Sequence, residues 1–399
     1  MTATAPVAVS DLDPFSTEFL HDPYPAHAVL REAGAVVRLE RYGIWATARH
    51  AEVRAVLHDP EAFCSSAGVG MADFRKEPPW RPPSLLLEAD PPEHTRARRV
   101  VAGVLSAAAM RRLADTFTAA ADEMVAELAD GRTFDAMPEL AIRYPMRVFS
   151  DAVGLPTAGR ENLLHYARMV FNTFGPRNEL FTNAIADSGP TREWIMDHCR
   201  AEKLLPGGMG AEIHARAAAE GFTSDEAAML VRSFLSAGID TTVHGLGNAL
   251  LCLAQHPAQF AALRAEPGRA RAAFEEVLRF EAPVQTFFRT TTRPVELGGT
   301  TVPGGEKVLL LLAAANRDPR HWEAPDTFDI SRRATGQVGF GFGIHACVGM
   351  AMARLEGEAV LTALARHTAG IEHDGPPRRM LNNTLRGLES LPLRLAPPV

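Results

Sequence analysis

Apolar residues recur three and four apart along most of the chain, the spacing that buries one face of a helix. Residues 108–129 (AAMRRLADTFTAAADEMVAELA) keep this spacing throughout and are rich in Ala, Leu and Met, which favour helix. The longest such pattern runs from Thr223 to about His256. It opens on a capping box, Thr223-x-x-Glu226, and stops at Pro257. At ~1.5 Å per residue this predicts one helix of roughly 50 Å, enough to cross the molecule. Shorter helices are predicted over 268–281 (GRARAAFEEVLRFE), before Pro283, and from about Val348 to His367.

Alternating patterns are fewer. Residues 36–47 (VVRLERYGIWAT) predict a hairpin, two β-rich runs lie around Val295–Leu297 and Val308–Leu311, and 379–395 (RMLNNTLRGLESLPLRL) predicts a last small hairpin. Pro and Gly act as scattered punctuation, with no repeat and no linker, so one continuous domain is expected. No G-x-G-x-x-G stands between a strand and a helix, so a nicotinamide dinucleotide is not expected to bind this chain.

Hydrophobic residues make up 46% and charged residues 22%, near the average for a soluble globular protein, which excludes a disordered tail, a collagen-like repeat or a disulfide-built miniprotein. Lys plus Arg is 41 against 48 for Asp plus Glu, a net charge of -7. That is a poor basis for nonspecific nucleic-acid binding, and no nucleic-acid partner is expected. Cys64, Cys199, Cys252 and Cys347 form no C-x-x-C, which argues against zinc or a redox dithiol. The first three read as bland small residues. No cationic segment followed by an apolar one marks a leader, and no run of ~20 apolar residues marks a membrane span. A cytoplasmic protein with reduced thiols is expected.

The chemistry concentrates at Phe340-Gly341-Phe342-Gly343-Ile344-His345-Ala346-Cys347-Val348-Gly349. The pattern F-G-x-G-x-H-x-C-x-G resembles the haem-binding loop of the cytochrome P450 monooxygenases. Its glycines allow close backbone approach and positive φ, and amides near the start of the following helix can stabilise an anionic sulfur. Such a sulfur pushes electron density onto iron. The resemblance implies a mainly α fold, a helix-rich triangular single domain over 1–399 with small antiparallel β-sheets, and haem b with its iron ligated by Cys347. It implies that Phe340 and Gly341 border the haem, and that His94, Arg98, Arg289 and His345 meet its propionates. It also implies a brace of Glu276 and Arg279 on Arg332, and a family signature in Ala315-Asn316-Arg317-Asp318-Pro319.

Ala237-Gly238-Ile239-Asp240-Thr241-Thr242 puts polar residues inside an apolar helix, which is costly without partners. By resemblance to the family's A-G-x-D-T motif, Thr241 and Asp240 serve oxygen activation. Thr241 hydrogen-bonds on the distal side of the haem, with a local groove in the helix, and Asp240 relays protons from solvent. The intact Asp-Thr pair implies O2 and two electrons, delivered in trans by an iron–sulfur ferredoxin and its reductase. Arg99, Arg333 and Arg354 are candidate contacts for that donor.

On a helical wheel Arg232, Ser233, Ser236 and Asp240 share one quadrant beside Ala237 and Thr241. Arg232 could clamp a carboxylate bidentately, and the wheel equally allows it to face solvent or a neighbouring helix. A second resemblance bears on this. Pro79-Trp80-Arg81-Pro82-Pro83-Ser84-Leu85-Leu86-Leu87-Glu88-Ala89-Asp90-Pro91-Pro92, Phe171-Asn172-Thr173-Phe174-Gly175-Pro176 and Pro283-Val284-Gln285-Thr286-Phe287-Phe288-Arg289 are similar to the bacterial P450 group that oxidises para-substituted benzoic acids, beyond about residue 12. His244 departs from that group, which carries Asn there. The resemblance implies a small aromatic carboxylate as substrate, with 4-methoxybenzoate O-demethylated to 4-hydroxybenzoate and formaldehyde. Arg81, Ser84 and Ser233 would hold the carboxylate, with Arg232 near the entrance. Phe171, Phe174 and Phe287 would hold the ring. Leu87, Ser236, Ala237 and Val284 would line the pocket. The alternatives are hydroxylation of a larger terpenoid or macrolide, and a haem-thiolate sensor without turnover.

Overall fold

The computed structural model describes residues 7–397. Ser106 caps the Ala109 amide to start the Ala107–Leu128 helix. Its buried stripe, which includes Phe117, Met124 and Leu128, packs on the Met350–His367 helix that follows the cysteine loop. The Ala270–Phe280 helix packs on the same partner, and these faces join one large apolar core.

The single helix predicted from Thr223 to His256 is two, Ser224–Gly238 and Asp240–Gln255, with Ile239 between them at φ -103°, ψ -66°. Its predicted start is as expected: the Thr223 amide donates to the Glu226 carboxylate at 2.7 Å, and the Glu226 amide to the Thr223 hydroxyl at 3.2 Å. The break has a local cause. The Thr241 hydroxyl donates to Ala237 O at 2.9 Å and the Thr242 hydroxyl approaches Gly238 O at 3.5 Å, competing with amides for those carbonyls. Gly238 also lets the chain close on Phe149, whose ring would stand 2.4 Å from a Cβ there.

The largest sheet is mixed and not wholly antiparallel. Its strand order is 8–10, 37–39, 44–47, 307–311, 286–291, 63–64. The 8–10 strand runs parallel to 37–39, and 44–47 runs parallel to 307–311. The predicted 36–47 hairpin is present, as Val37–Leu39 antiparallel to Ile44–Thr47. The last predicted hairpin divides. Arg378–Met380 pairs with Gly387–Ser390, whereas Pro392–Ala396 leaves to join Gly370–His373 and Thr133–Asp135. Along Thr286–Thr291 the alternation of a strand sends Phe287 and Arg289 to one cavity and Phe288 into a second, smaller core with Phe15 and Leu309. Among the described residues no helix is long and apolar enough to cross a membrane.

Candidate active site

Cys347 sits in a loop braced from three sides. Its amide donates to Phe340 O at 2.8 Å, and the Gly341 amide to Val338 O at 2.8 Å. Gly341 and Gly343 have φ of 68° and 71°, and a Cβ on Gly343 would lie 2.4 Å from Leu57 O. Both positions therefore require glycine. Asn316 of the family-like signature accepts the Val338 amide at 2.7 Å, tying that segment to the loop. Beside it, Arg279 meets Glu276 through Nε and Nη2 at 2.7 and 2.8 Å, and Arg332 Nε reaches Glu276 at 3.2 Å. The brace expected from the resemblance is in place.

The sulfur borders a cavity of about 1630 Å³, part of it open to solvent. Cys347 is exposed to that cavity, and the protein packed around it holds its thiol above the usual range, opposed by the amides of Gly349 and Met350 and the charges of Arg98 and Arg354. Arg98, Arg289, His345, Phe340 and Gly341 line the same cavity. The His94 ring packs against His345 at a tilt of 51°, ring centroids 4.2 Å apart. Both nitrogens of His94 and Nε2 of His345 are buried without partners. Burial first, then the nearby cations, push the His345 imidazole down to about 2; burial lowers Arg289 to about 10. Unpartnered imidazole nitrogens beside two guanidiniums are a donor set made for anions. The residues thus fit a haem. Cys347 would ligate iron, while His94, Arg98, Arg289 and His345 would hold the propionates.

Thr241 lines the cavity; Asp240 does not. The helix break turns the Asp240 carboxylate, 0% exposed, toward His244 Nε2 at 3.2 Å and Arg168 Nε at 3.7 Å. Arg168 is 33% exposed, so a chain of polar groups leads from Asp240 toward solvent. The i, i+4 spacing of Asp240 and His244 was readable in the sequence as a helical pair.

Leu87, Phe171, Phe174, Ser233, Ser236, Ala237, Val284 and Phe287 all line the cavity. Phe171 meets Phe174 edge-on at 5.7 Å, and Phe174 meets Phe287 at 5.8 Å, which forms a continuous aromatic wall. A clamp from the C-terminal turn fixes that wall. Asn383 Nδ2 donates to Asn172 O at 2.9 Å, and the Asn383 amide to the Asn172 side chain at 3.0 Å. On the far side a Cβ at Gly70 would lie 2.7 Å from the Phe174 Cα.

Ser84 and Ser233 share a hydrogen bond of 2.8 Å across the loop-to-helix contact, and Arg81 also borders the cavity. Two expectations change here. Arg81 is bound bidentately by Glu88, a residue the sequence reading passed over, at 2.9 and 3.2 Å. Arg232, 2% exposed, does not line the cavity. Its Nη2 donates to Pro82 O at 2.8 Å and Pro83 O at 3.2 Å, so it supports the Ser84 loop from behind. The wheel placed it near the right face but could not show which carbonyls cover it. Glu356 was also missed. It lines the cavity with both carboxyl oxygens unpartnered, and burial pushes its acid well above the carboxylate range. Of the candidate donor contacts, Arg99 pairs with Glu220 and Arg354 with Glu275, while Arg333 is exposed.

Residues 208–388 match the family model described as cytochrome P450. The chain is 58% identical over 387 residues, 97% of its length and 94% of the relative's, to cytochrome P450 CYP199A2 of Rhodopseudomonas palustris. It is 33% identical to the vitamin D(3) 25-hydroxylase of Pseudonocardia autotrophica, covering 88% of each chain. Among solved structures, cytochrome P450 CREJ in complex with (4-ethylphenyl) dihydrogen phosphate superposes with a TM-score of 0.86 at 26% identity, covering 96% of this chain and 98% of that one. CYP109Q5 from Chondromyces apiculatus gives a TM-score of 0.82 at 29% identity, over 98% of this chain and 99% of that one. With the braced cysteine, the anion-binding ring beside it and near-complete alignment to such relatives, the chain belongs to the cytochrome P450 family of haem-thiolate monooxygenases.

Proposed function

We propose that the protein oxidises para-substituted benzoic acids and O-demethylates 4-methoxybenzoate, with electrons from a ferredoxin and its reductase. The balanced reaction takes one O2, two electrons and two protons. One oxygen atom is inserted at the methoxy carbon and the other leaves as water, and the hemiacetal then collapses to 4-hydroxybenzoate and formaldehyde. The bound haem supplies the oxygen activation.

The observation that carries this reading is the composition of the cavity wall. It is mostly apolar and aromatic; apart from Ser236, Thr241, Thr242 and Glu356, its polar groups fall in two groupings, the ring around Cys347 and the set of Arg81, Ser84 and Ser233. Two guanidiniums and one carboxylate, Arg81, Arg232 and Glu88, meet at the second grouping, which leaves a net positive charge. A carboxylate there is attracted by the excess cation, and a serine hydroxyl can turn to it from its partner in the protein, Met229 O for Ser233 or the Ser233 oxygen for Ser84. Phe171, Phe174 and Phe287 give the ring an aromatic wall to pack on, so the para substituent is the part presented for reaction. Thr241 sits where it can hold a proton at the reacting side, and Asp240, the residue before it, lies 3.7 Å from Arg168, which is partly open to solvent. The structure of CREJ contains a para-substituted aromatic anion, a ligand of the same general shape and charge.

The test is a Soret titration of the holoenzyme with 4-methoxybenzoate and with its methyl ester, followed by turnover with ferredoxin, reductase and NADH. The acid is expected to bind far more tightly and to yield formaldehyde and 4-hydroxybenzoate one for one. Equal binding of acid and ester rejects the reading. Reversing the charge at Arg333 should slow reduction by ferredoxin but not by dithionite.

A further inference from the structure

We infer that Glu88 sets how strongly this pocket prefers an anionic guest over a neutral one, by balancing the charge of Arg81. The inference rests on the benzoate reading above. Arg81 Nη1 donates to Glu88 Oε2 at 2.9 Å and to Pro82 O at 3.0 Å, and Nη2 donates to Glu88 Oε1 at 3.2 Å. The two side chains are 7% and 2% exposed. Glu88 Oε2 also accepts the Ser84 amide at 2.7 Å. One carboxylate therefore grips both Arg81 and Ser84, the polar residues of this loop that line the Cys347 cavity.

Glu88 does not border that cavity. It borders a neighbouring one of about 740 Å³, lined also by Trp80, Phe74 and Arg177, and Arg81 and Phe174 are shared by the two. The acid thus acts on a guest through charge and through Arg81, not by contact. These bonds use three of the five N–H donors of Arg81; one N–H of Nη2 and the buried Nε have no partner in the protein. Arg232 has no carboxylate within 4.0 Å among the described residues. The group as a whole carries one excess positive charge. Removing the charge of Glu88 doubles it, while the paired hydroxyls of Ser84 and Ser233, indifferent to charge, stay as they are. Glu88 is a specificity-determining position that works through Arg81.

The readout is the ratio of Kd for methyl 4-methoxybenzoate to Kd for 4-methoxybenzoate, from Soret titrations of the holoenzyme. A ratio cancels any loss of affinity that both guests share. Glu88→Gln should raise it on the order of tenfold. Glu88→Asp keeps the charge and should leave it within about twofold, even if both guests bind more weakly. Arg81→Gln should lower it, and the double variant Arg81→Gln with Glu88→Gln should return it to near the wild-type value, since the net charge is restored. The double variant leaves neither charge buried alone, so it carries the test if the single Glu88→Gln protein does not take up haem. An unchanged ratio in Glu88→Gln overturns the inference. So does Glu88→Asp moving as far as Glu88→Gln, which would mean that loop packing and not charge is read, or a double variant that stays as low as Arg81→Gln. Wild-type enzyme without a preference for the acid brings down the benzoate reading itself, before any variant is made.

Discussion

Arg279 and Arg81 each meet a glutamate bidentately inside the protein, but their remaining donors are treated differently. Arg279 uses Nε and Nη2 on Glu276 and sends its other N–H groups to the carbonyls of Asn316, Pro325 and Thr327. All five guanidinium donors are spent within the protein. Arg81 has two bonds to Glu88, one to Pro82 O and a buried Nε with none. The first arrangement is a finished brace beside the cysteine loop, where any movement breaks several charge-assisted bonds. The second borders a cavity and leaves a donor over. A saturated buried ion pair holds a fold in place, whereas one with a donor to spare is suited to receive something from outside. Glu356 completes the series as a buried carboxyl with no cation, whose acid burial pushes well above the carboxylate range.

The largest effect is expected from Arg279→Ala. It leaves the buried Glu276 with only Arg332 and the Asp329 amide and frees three carbonyls, at a cost of about 3–5 kcal/mol, and the protein should lose most of its ferrous-carbonyl Soret absorbance per chain. Arg81→Ala should behave differently. It should still take up haem, with Kd for 4-methoxybenzoate raised on the order of tenfold to a hundredfold and kcat changed less, as uniform binding predicts. If it fails to take up haem as Arg279→Ala does, the contrast between brace and receptor is wrong. Thr241→Ala separates receiving a guest from using it. Affinity should be near normal, while product formed per NADH consumed falls by about tenfold.

The smallest effect is on Glu356→Gln. Its folded acid lies above the unfolded value, so the wild-type residue is harmless below the ordinary carboxylate range and costs stability as pH rises, because only the unfolded chain ionises. The variant should therefore melt higher at pH 8, by roughly 2 °C or more, with the difference closing as the pH approaches 4. A gap that widens at low pH would place a cation beside that carboxyl.

The cysteine loop was legible because its chemistry is contiguous: one stretch of chain supplies the ligand, the glycines and the helix start. The Phe287 and Arg289 positions follow once a strand is recognised, since alternation sends both to one face. The helix break is local but periodicity does not register it, because apolar Ile239 continues the pattern; the resemblance at Thr241 implied a groove, and the hydroxyl bonds of Thr241 and Thr242 account for a full break. The rest depends on contacts between distant segments. Glu88 reads as an ordinary surface acid after three leucines, because its partner Arg81 lies on an irregular loop with no period to link them. Arg232 belongs to the Pro82–Pro83 carbonyls, which no wheel drawn on one helix can include.

The asparagine clamp behind the aromatic wall has a consequence for how such an enzyme diverges. Asn383, in a turn near the C-terminus, fixes the backbone of the segment that carries Phe171 and Phe174, and Gly175 is packed so closely that a Cβ would lie 2.5 Å from Asn383. Drift in that remote turn can retailor which guests fit without altering any side chain they touch, so comparisons of pocket residues alone will underestimate how far two relatives have parted in diet.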